Sequence, residues 1–258
     1  MEAAMADKRT DRIRRAFGAA AEGYEDSAAV QRIVAETVAK LAAQRRLPDR
    51  LRLLEIGCGT GFLTRHIRAQ WPQADLAVTD LAPEMVERAS RDPRLSGTFF
   101  TMDGQWPCFE GQWFDLIVSS MAFQWFDDLA GALERLFALL RPGGSLIFST
   151  MAERSFGEWR VAHAACGLFA GTPDYPSLET LREMVGAYPD GAAFDEDYAV
   201  DFGSGRAFLT HLKAIGATVP AEGRTPLSAA ALRRVIRAFE DGGARATYHV
   251  GFVRVSRV

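Results

Sequence analysis

Hydrophobic and polar positions up to residue 151 repeat in two alternating patterns. Short apolar runs of strand length stop at a small or acidic residue, and each leads into a stretch whose apolar positions recur at helical spacing. The apolar runs lie at 53–56, 76–80, 98–103, 114–120 and 145–150. Strands that alternate with helices at this pitch predict a parallel sheet with helices on both faces.

The helical stretches are recognised because their apolar residues recur on one face of the helix. In the first of them, Val30, Val34 and Val38 recur on one face. Helices are predicted at 28–44, 62–68, 83–89 and 129–140. The third begins at a proline, which is favoured in the first turn of a helix. The last is expected to end at the Arg-Pro-Gly-Gly turn 141–144.

Beyond residue 151 the spacing of the elements changes. Helices are predicted at 156–169, 178–187, 206–215 and 229–240, and strands at 197–202 and 246–255. We expect the two strands to complete the same sheet and the helices to form a lid over its active edge. The fold class is therefore α/β, a Rossmann-like, seven-stranded, mostly parallel sheet. One domain is expected, with an N-terminal helical segment (1–48), a core (49–151) and a lid region (152–258).

Composition and charge exclude several functional classes. The 258 residues are 48% hydrophobic and 24% charged, as in ordinary globular proteins, and the net charge of −3 gives no general attraction for nucleic acid or anionic membranes. No apolar run reaches the roughly 20 residues that span a bilayer, and the first residues do not resemble a secretory signal. Cys58, Cys108 and Cys166 lack the spacing of a zinc site or disulfide framework. We expect a cytoplasmic protein without a metal.

The most informative motif is the stretch 53–61, Leu-Leu-Glu-Ile-Gly-Cys-Gly-Thr-Gly, in which a strand stops at three glycines on alternate positions. With the helix behind it, this forms a strand–turn–helix unit of the nucleotide-binding type. Glycine is required where a ligand lies against bare backbone or where φ is positive. The spacing differs from the G-x-G-x-x-G of dinucleotide sites, and a glycine-rich turn alone is also compatible with a tight turn that binds nothing.

Two acidic residues follow the next strands. Asp80 ends the second strand, 23 positions after Gly57, and Asp103 ends the third. Because ligands of open α/β sheets bind beyond the carboxyl ends of the strands, these residues should converge on one crevice. A carboxylate there accepts two hydrogen bonds from ribose hydroxyls. Each acid alone is equally compatible with a helix cap or a solvated turn.

This arrangement resembles that of the class I S-adenosylmethionine-dependent methyltransferases. The resemblance implies that Glu55 orients the glycine loop and the methionine amino group, that Asp80 binds the ribose, and that Asp103 binds the adenine amino group. The cofactor-binding residues implied are Glu55, Gly57, Cys58, Gly59, Gly61, Asp80, Leu81, Met85, Asp103, Gly104 and Ser119, with Trp106 as a further wall. A nicotinamide enzyme would lack the acid after the third strand.

Stretches outside the core resemble the BioC family, the malonyl-[acyl-carrier protein] O-methyltransferases of biotin synthesis. They include Phe-Gly-Ala-Ala-Ala-x-x-Tyr-Glu at 17–25, Ala-Phe-Gln-Trp at 122–125, the exit from the fifth strand at 148–158, the block 212–224 and Thr-Tyr-His at 247–249. Methyltransferases differ most outside the core, so these stretches bear on the substrate. The resemblance implies methyl transfer to the free carboxylate of malonyl-acyl carrier protein, with S-adenosylhomocysteine as the other product and no nucleic-acid or membrane partner. We expect a monomer.

The chemistry implied by the resemblance needs no general base, because a carboxylate of pKa about 4 is already ionised at neutral pH. Catalysis then consists of aligning oxygen, methyl group and sulfur, while a cation or hydroxyl holds the unreacting oxygen. Candidate residues from the resemblance are Tyr24, Gln31, Arg32, Gln124, Trp125, Lys213, Arg224 and His249. For each of them, surface charge or core packing is the alternative interpretation.

An acidic carrier protein would need a basic docking surface. The sequence has two arginine clusters, Arg9/Arg12/Arg14/Arg15 and Arg233/Arg234/Arg237, although charge runs are commonly solvated faces. Three other functions remain open: a small-acid (aconitate-type) carboxyl methyltransferase, a non-catalytic S-adenosylmethionine-binding protein, and a nucleic-acid methyltransferase, which the negative charge disfavours. The sequence does not distinguish carrier protein from coenzyme A as the acyl holder.

Overall fold

The computed structural model describes residues 2–48, 50–220 and 226–258. The α-helices are α1 Glu2–Ala20, α2 Tyr24–Ser27, α3 Ala29–Ala43, α4 Phe62–Gln70, α5 Pro83–Ser90, α6 Leu129–Ala138, α7 Gly157–Ala165, α8 Leu178–Gly186, α9 Gly205–Ala214 and α10 Ala229–Asp241. The strands are β1 Arg52–Ile56, β2 Asp75–Asp80, β3 Thr98–Thr101, β4 Phe114–Ser119, β5 Leu140–Met151, β6 Ala192–Asp201 and β7 Arg245–Ser256.

The seven strands form one sheet in the order β3-β2-β1-β4-β5-β7-β6. The pairs among β1 to β5 are parallel, and β7 runs antiparallel to both β5 and β6. Helices α7 and α8 lie in the chain between β5 and β6, and α9 and α10 between β6 and β7. The predicted seven-stranded, mostly parallel sheet is confirmed, including its completion by the last two strands.

The sheet is covered on both faces, as the buried strands require. Successive side chains of a strand point to opposite faces, and Leu53 belongs to one hydrophobic core while Leu54 belongs to the other. The first core also contains apolar residues of α3, α4, α7 and α10, and the second those of α6 and α8. None of the described helices is long and apolar enough to cross a membrane.

The connection into β5 differs from the prediction. Helix α6 ends at Ala138, two residues before the predicted end, and β5 already begins at Leu140, so that 141–144 belongs to the strand and not to a separating turn. The pairing of β4 with β5 shifts register between Phe114 and Leu116. Gly143, with φ of 79°, accommodates the irregularity.

Candidate functional site

A cavity lies at the carboxyl ends of β1, β2, β3 and β4. We call it the first cavity. Strand-end and loop residues form its floor and sides, and α1 lies across its top. Its lining residues are Thr10, Ile13, Phe17, Tyr24, Ile56, Gly57, Gly59, Asp80, Leu81, Met85, Met102, Asp103, Gly104, Gln105, Ser120, Met121, Ala122, Trp125 and Phe126.

The glycine loop at the end of β1 requires glycine for two reasons. Gly57, Gly59 and Gly61 all have positive φ, at 68°, 53° and 94°, a region that side chains rarely adopt. A Cβ on Gly57 would also stand 2.4 Å from the Cβ of Ala122. The loop therefore presents bare backbone to the first cavity. Gly61 lies behind it, as the N-cap of α4.

Asp80 fastens this loop to the end of β2. The Gly59 N–H donates to its Oδ2 at 2.8 Å, and the Ala82 N–H donates to its Oδ1 at 2.9 Å. Burial raises the pKa of Asp80 to about 6, and these backbone hydrogen bonds oppose the rise. A carboxylate oxygen accepts more than one hydrogen bond, so Asp80 retains acceptor capacity toward the cavity. Asp103, whose Oδ1 accepts from the Gln105 N–H at 2.9 Å, lies on the same lining.

Glu55 is buried beneath the glycine loop, with 1% of its surface exposed. Burial raises its pKa to about 8, and the charge of Asp80 acts in the same direction. Thr64 lies close enough to lower the pKa somewhat, but neither carboxylate oxygen accepts a well-formed hydrogen bond from the described residues. With a pKa of about 8, Glu55 is protonated at neutral pH in the unliganded protein. A cationic ligand group nearby would favour its ionised form.

Helix α1 supplies a wall that the sequence did not predict. Arg9 donates to the backbone oxygen of Trp125 at 3.0 Å and pairs with Asp127. The rings of Phe17 and Trp125 meet edge to face with centroids 5.3 Å apart. These contacts hold α1 over the first cavity, where Ile13 and Phe17 add apolar surface.

A second cavity adjoins the first. The two share Phe17, Tyr24, Met121 and Trp125. The remaining lining residues of the second cavity are Gln31, Gln124, Met151, Phe156, Tyr175, Ile215, Ala217 and Tyr248. Met121 at the junction has φ of 55°, a rare conformation for a side-chain-bearing residue, which hydrogen bonds with Ser149 and Gln124 hold in place. Such conformations cluster at functional sites.

A third cavity continues from the second toward α7 and α9. It shares Trp125, Phe156, Tyr175 and Ala217 with the second cavity. Its other walls are Trp159 of α7, Phe208, Leu209 and Leu212 of α9, and the segments 171–173 and 218–220. The three cavities therefore form one continuous series from the strand ends to α7 and α9.

Most of the predicted cofactor residues line the first cavity or lie directly behind it. Gly57, Gly59, Asp80, Leu81, Met85, Asp103 and Gly104 line it. Ser119 lies behind the lining, where its hydroxyl donates to the Ile56 carbonyl, and Cys58 is buried. Trp106 is not a wall: it is 65% exposed, and the Arg135 guanidinium lies 4.0 Å from its ring centroid.

The uncharged and the basic candidates for the substrate site lie in different places. Tyr24, Gln31, Gln124 and Trp125, all uncharged, line the second cavity. The basic candidates do not: Arg32 lies over the ring of Phe62, Lys213 is exposed on α9, and His249 is fully buried between Asp195 and the Arg154 N–H. Arg224 lies outside the described residues. The sequence did not single out Tyr175 or Tyr248, although Tyr248 falls within one of the family-like stretches.

Comparison with known proteins adds to this geometry. A family model described as a methyltransferase domain matches residues 27–188. The chain is 42% identical over 247 residues to the malonyl-[acyl-carrier protein] O-methyltransferase of Magnetococcus marinus, an alignment covering 94% of this chain and 91% of that protein.

Two further relatives differ in length and in similarity. The chain is 44% identical over 241 residues to the biotin biosynthesis bifunctional protein BioCD of Bordetella avium; this covers 93% of the chain but about half of that protein, 51%. A phosphoethanolamine N-methyltransferase of Haemonchus contortus, solved with phosphomonomethylethanolamine and S-adenosylhomocysteine, superposes with a TM-score of 0.54 at 16% identity, over 86% of this chain and 52% of that one. At that identity the likeness is one of fold.

Proposed function

The chain belongs to the malonyl-[acyl-carrier protein] O-methyltransferase family, and from this membership we propose that it methylates the free carboxylate of a malonyl thioester carried by acyl carrier protein. The methyl donor is S-adenosylmethionine, the cofactor of this family. The product is a methyl ester in which the charge of the malonyl carboxylate is masked. The name of the Bordetella relative supports a place in biotin biosynthesis.

The residues of the first cavity fit S-adenosylmethionine. The glycine loop leaves room for the methionyl part beside the backbone, and Asp80 has acceptor capacity suited to ribose hydroxyls. Glu55, which is buried behind the lining and has no well-formed hydrogen bond, suits the cationic amino group. Apolar walls from α1 and α5, Ile13 and Met85 among them, enclose the remainder.

The junction of the two cavities is the observation that carries the proposal. A donor in the first cavity and an acceptor in the second would meet at Phe17, Tyr24, Met121 and Trp125. When bound, S-adenosylmethionine supplies an electrophilic methyl: the C–O bond forms as the C–S bond breaks, and the electron pair remains on sulfur. The residues at the junction position the two reactants and exclude water, and they transfer no proton.

The third cavity supports a substrate longer than a small acid. Its apolar walls lead away from the second cavity between α7 and α9, which gives an extended thioester arm a path to the acyl carrier protein. A small dicarboxylate would fill the second cavity and make no use of this path. The geometry therefore favours a thioester-bound acceptor over an aconitate-type substrate.

The test is to measure methyl transfer from labelled S-adenosylmethionine to malonyl-acyl carrier protein, malonyl-coenzyme A and free malonate side by side. We expect the highest kcat/KM with the carrier-bound substrate and the lowest with free malonate. Preferential methylation of free dicarboxylates would instead support the small-acid alternative. Cofactor binding without transfer to any carboxylate would support a non-catalytic binding protein.

A further inference from the structure

The second cavity concentrates phenol groups. Three of the chain's five tyrosines, Tyr24, Tyr175 and Tyr248, line it. They come from α2, from the stretch before α8 and from β7, so the fold brings them together from distant parts of the sequence. Side chains of all three therefore contribute to the wall of the same cavity.

Two of these hydroxyls are unengaged. Neither Tyr24 nor Tyr175 forms a side-chain hydrogen bond with the described residues, and both keep accessible surface although protein surrounds them. Burial raises the pKa of each hydroxyl well above its usual value, and the charge of Asp80 adds to the rise at Tyr24. Both groups therefore keep their protons at neutral pH and remain hydrogen-bond donors toward the cavity.

An amide completes this set of donors. Gln31 is buried, and its Oε1 has no hydrogen-bond partner among the described residues. The side chain lies close enough to Tyr248 to affect the pKa of that phenol, while the Tyr248 hydroxyl also meets His211 Nε2 at 2.6 Å. A side-chain amide presents either its oxygen or its NH₂ group by rotation, so Gln31 is able to donate into the cavity.

No arginine or lysine is found among the described residues that line the second cavity. The positive charges of Arg160 and Arg9 act on Tyr175 from outside the lining, and Arg9 is already paired with Asp127. The cavity thus has proton donors and no fixed counter-ion. A bidentate guanidinium would engage both oxygens of a carboxylate, whereas separate neutral donors engage one and leave the other to react.

We propose that the second cavity is a carboxylate subsite, in which Tyr24, Tyr175 and Gln31 hold the acceptor's unreacting oxygen through uncharged donors. This inference rests on the proposed function and deepens it by naming the groups that recognise the substrate carboxylate. The inference also explains how a negatively charged substrate can bind in a cavity that no cation lines. A buried carboxylate is tolerated where it accepts several hydrogen bonds.

The test uses Tyr175→Phe, which removes one hydroxyl and keeps the ring, and the double variant Tyr24→Phe/Tyr175→Phe. Tyr198→Phe on β6, whose hydroxyl bonds to Glu196 away from the three cavities, is the matched control. With malonyl-N-acetylcysteamine as acceptor, Tyr175→Phe should lower kcat/KM about 10- to 100-fold, the range for a hydrogen bond to a charged group. Its affinity for S-adenosylhomocysteine should match wild type, as should the activity of the control.

A binding measurement separates the subsite from the reaction. With S-adenosylhomocysteine bound, the wild-type protein should bind malonyl-N-acetylcysteamine at least about 10-fold more tightly than acetyl-N-acetylcysteamine, and the double variant should lose this preference. Gln31→Glu, which keeps the side-chain volume but adds a negative charge, should lose it as well. Wild-type kcat/KM in Tyr175→Phe, or an unchanged preference in the double variant, overturns the inference and leaves the proposed function standing. If the wild-type protein methylates no carboxylate thioester, both the inference and the proposed function are wrong.

Discussion

The first and second cavities meet at Tyr24 but are built in opposite ways. The floor of the first is backbone and strand-end residues drawn from one stretch of chain, 56–126, with Gly57 and Asp80 fixed by the sheet. The second is made of side chains from helices, loops and two strands far apart in sequence, among them Gln31, Tyr175 and Tyr248. The donor side is therefore tied to the fold itself, whereas part of the acceptor side is formed by side chains that the sheet does not need.

The two cavities should therefore respond differently to substitutions. Changes at the strand ends should disturb backbone geometry and cofactor affinity together, because Gly57 has no room for a Cβ and all three loop glycines have positive φ. Changes around the second cavity should alter substrate use while leaving the cofactor affinity intact. The variants below test whether the two sides are separable, beginning with the largest effect.

Gly57→Ala should have the largest effect. A Cβ there would lie 2.4 Å from the Cβ of Ala122, and the residue has φ of 68°. We expect loss of measurable cofactor binding by titration calorimetry. Gly203→Ala is the matched control, because φ is 66° but no atom lies within 4 Å of the added Cβ. It should cost only about 1 kcal/mol of stability. Equal effects from both would show that strain, and not the close approach at the cavity, governs the loop.

Asp80→Ala should be the next largest. It removes the acceptor of the Gly59 N–H as well as the group assigned to the ribose, and each hydrogen bond to a charged partner contributes about 1.5–3 kcal/mol. Cofactor affinity should fall by about 100-fold or more while the sheet stays folded, measured by calorimetry and thermal unfolding. Asp80→Asn keeps one acceptor oxygen and should lose less. Wild-type affinity in Asp80→Ala would contradict the ribose assignment.

The two cavities also differ in how far their residues could be predicted from the sequence. Gly57 and Asp80 were found because parallel strands end at one edge, so their proximity follows from local patterns alone. The wall formed by Ile13 and Phe17 was missed, since the docking of α1 leaves no local signature. Tyr175 was missed because it lies in irregular chain before α8. For the acceptor side, the family resemblance pointed to charged as well as neutral residues. Only the packing of the folded chain shows that the neutral ones line the second cavity.

Glu55→Gln should change how stability depends on pH. The pKa of Glu55 is raised from 4.5 to about 8 in the folded protein, so its contribution is fully present below about pH 4.5 and is lost as the pH rises through 8. Asp80, with a pKa near 6, acts in the same direction at lower pH, whereas His211, whose pKa burial lowers, acts in the opposite direction. Without cofactor, the contribution of Glu55 to the unfolding free energy of wild type should fall by about 2 kcal/mol between pH 6 and pH 8.

The Glu55→Gln variant should show little of this fall, since its side chain does not ionise. Denaturant unfolding at pH 6, 7 and 8 measures the difference between the two proteins. Parallel curves for wild type and variant would mean that Glu55 is ionised and satisfied in the folded protein. In that case the geometry of the glycine loop would not depend on a protonated Glu55.

The smallest effects are expected at the outer surface, where an acidic carrier protein would dock. Within the N-terminal cluster, Arg9 is bound to Asp127 and Arg14 to Asp11. Arg12 and Arg15 are the exposed members, and Arg15 makes a longer contact of 3.9 Å with Asp11. Arg233, Arg234 and Arg237 are exposed on α10 and form no ion pair with the described residues. Both clusters remain candidates for docking. Arg46 and Arg50, which precede β1 at the opposite edge of the sheet, offer a control of equal charge.

Rim charges act mainly on the association rate and are screened beyond about 8 Å at physiological ionic strength. Reversal of Arg233 and Arg234 to Glu, or of Arg12 and Arg15, should therefore lower kcat/KM for malonyl-acyl carrier protein several-fold at low salt and less at high salt. Activity on malonyl-N-acetylcysteamine should be unchanged, because that substrate reaches the cavities without a docked protein. The control reversal of Arg46 and Arg50 should alter neither. If both test pairs behave like the control, carrier recognition does not depend on these clusters, and the third cavity remains as its structural basis.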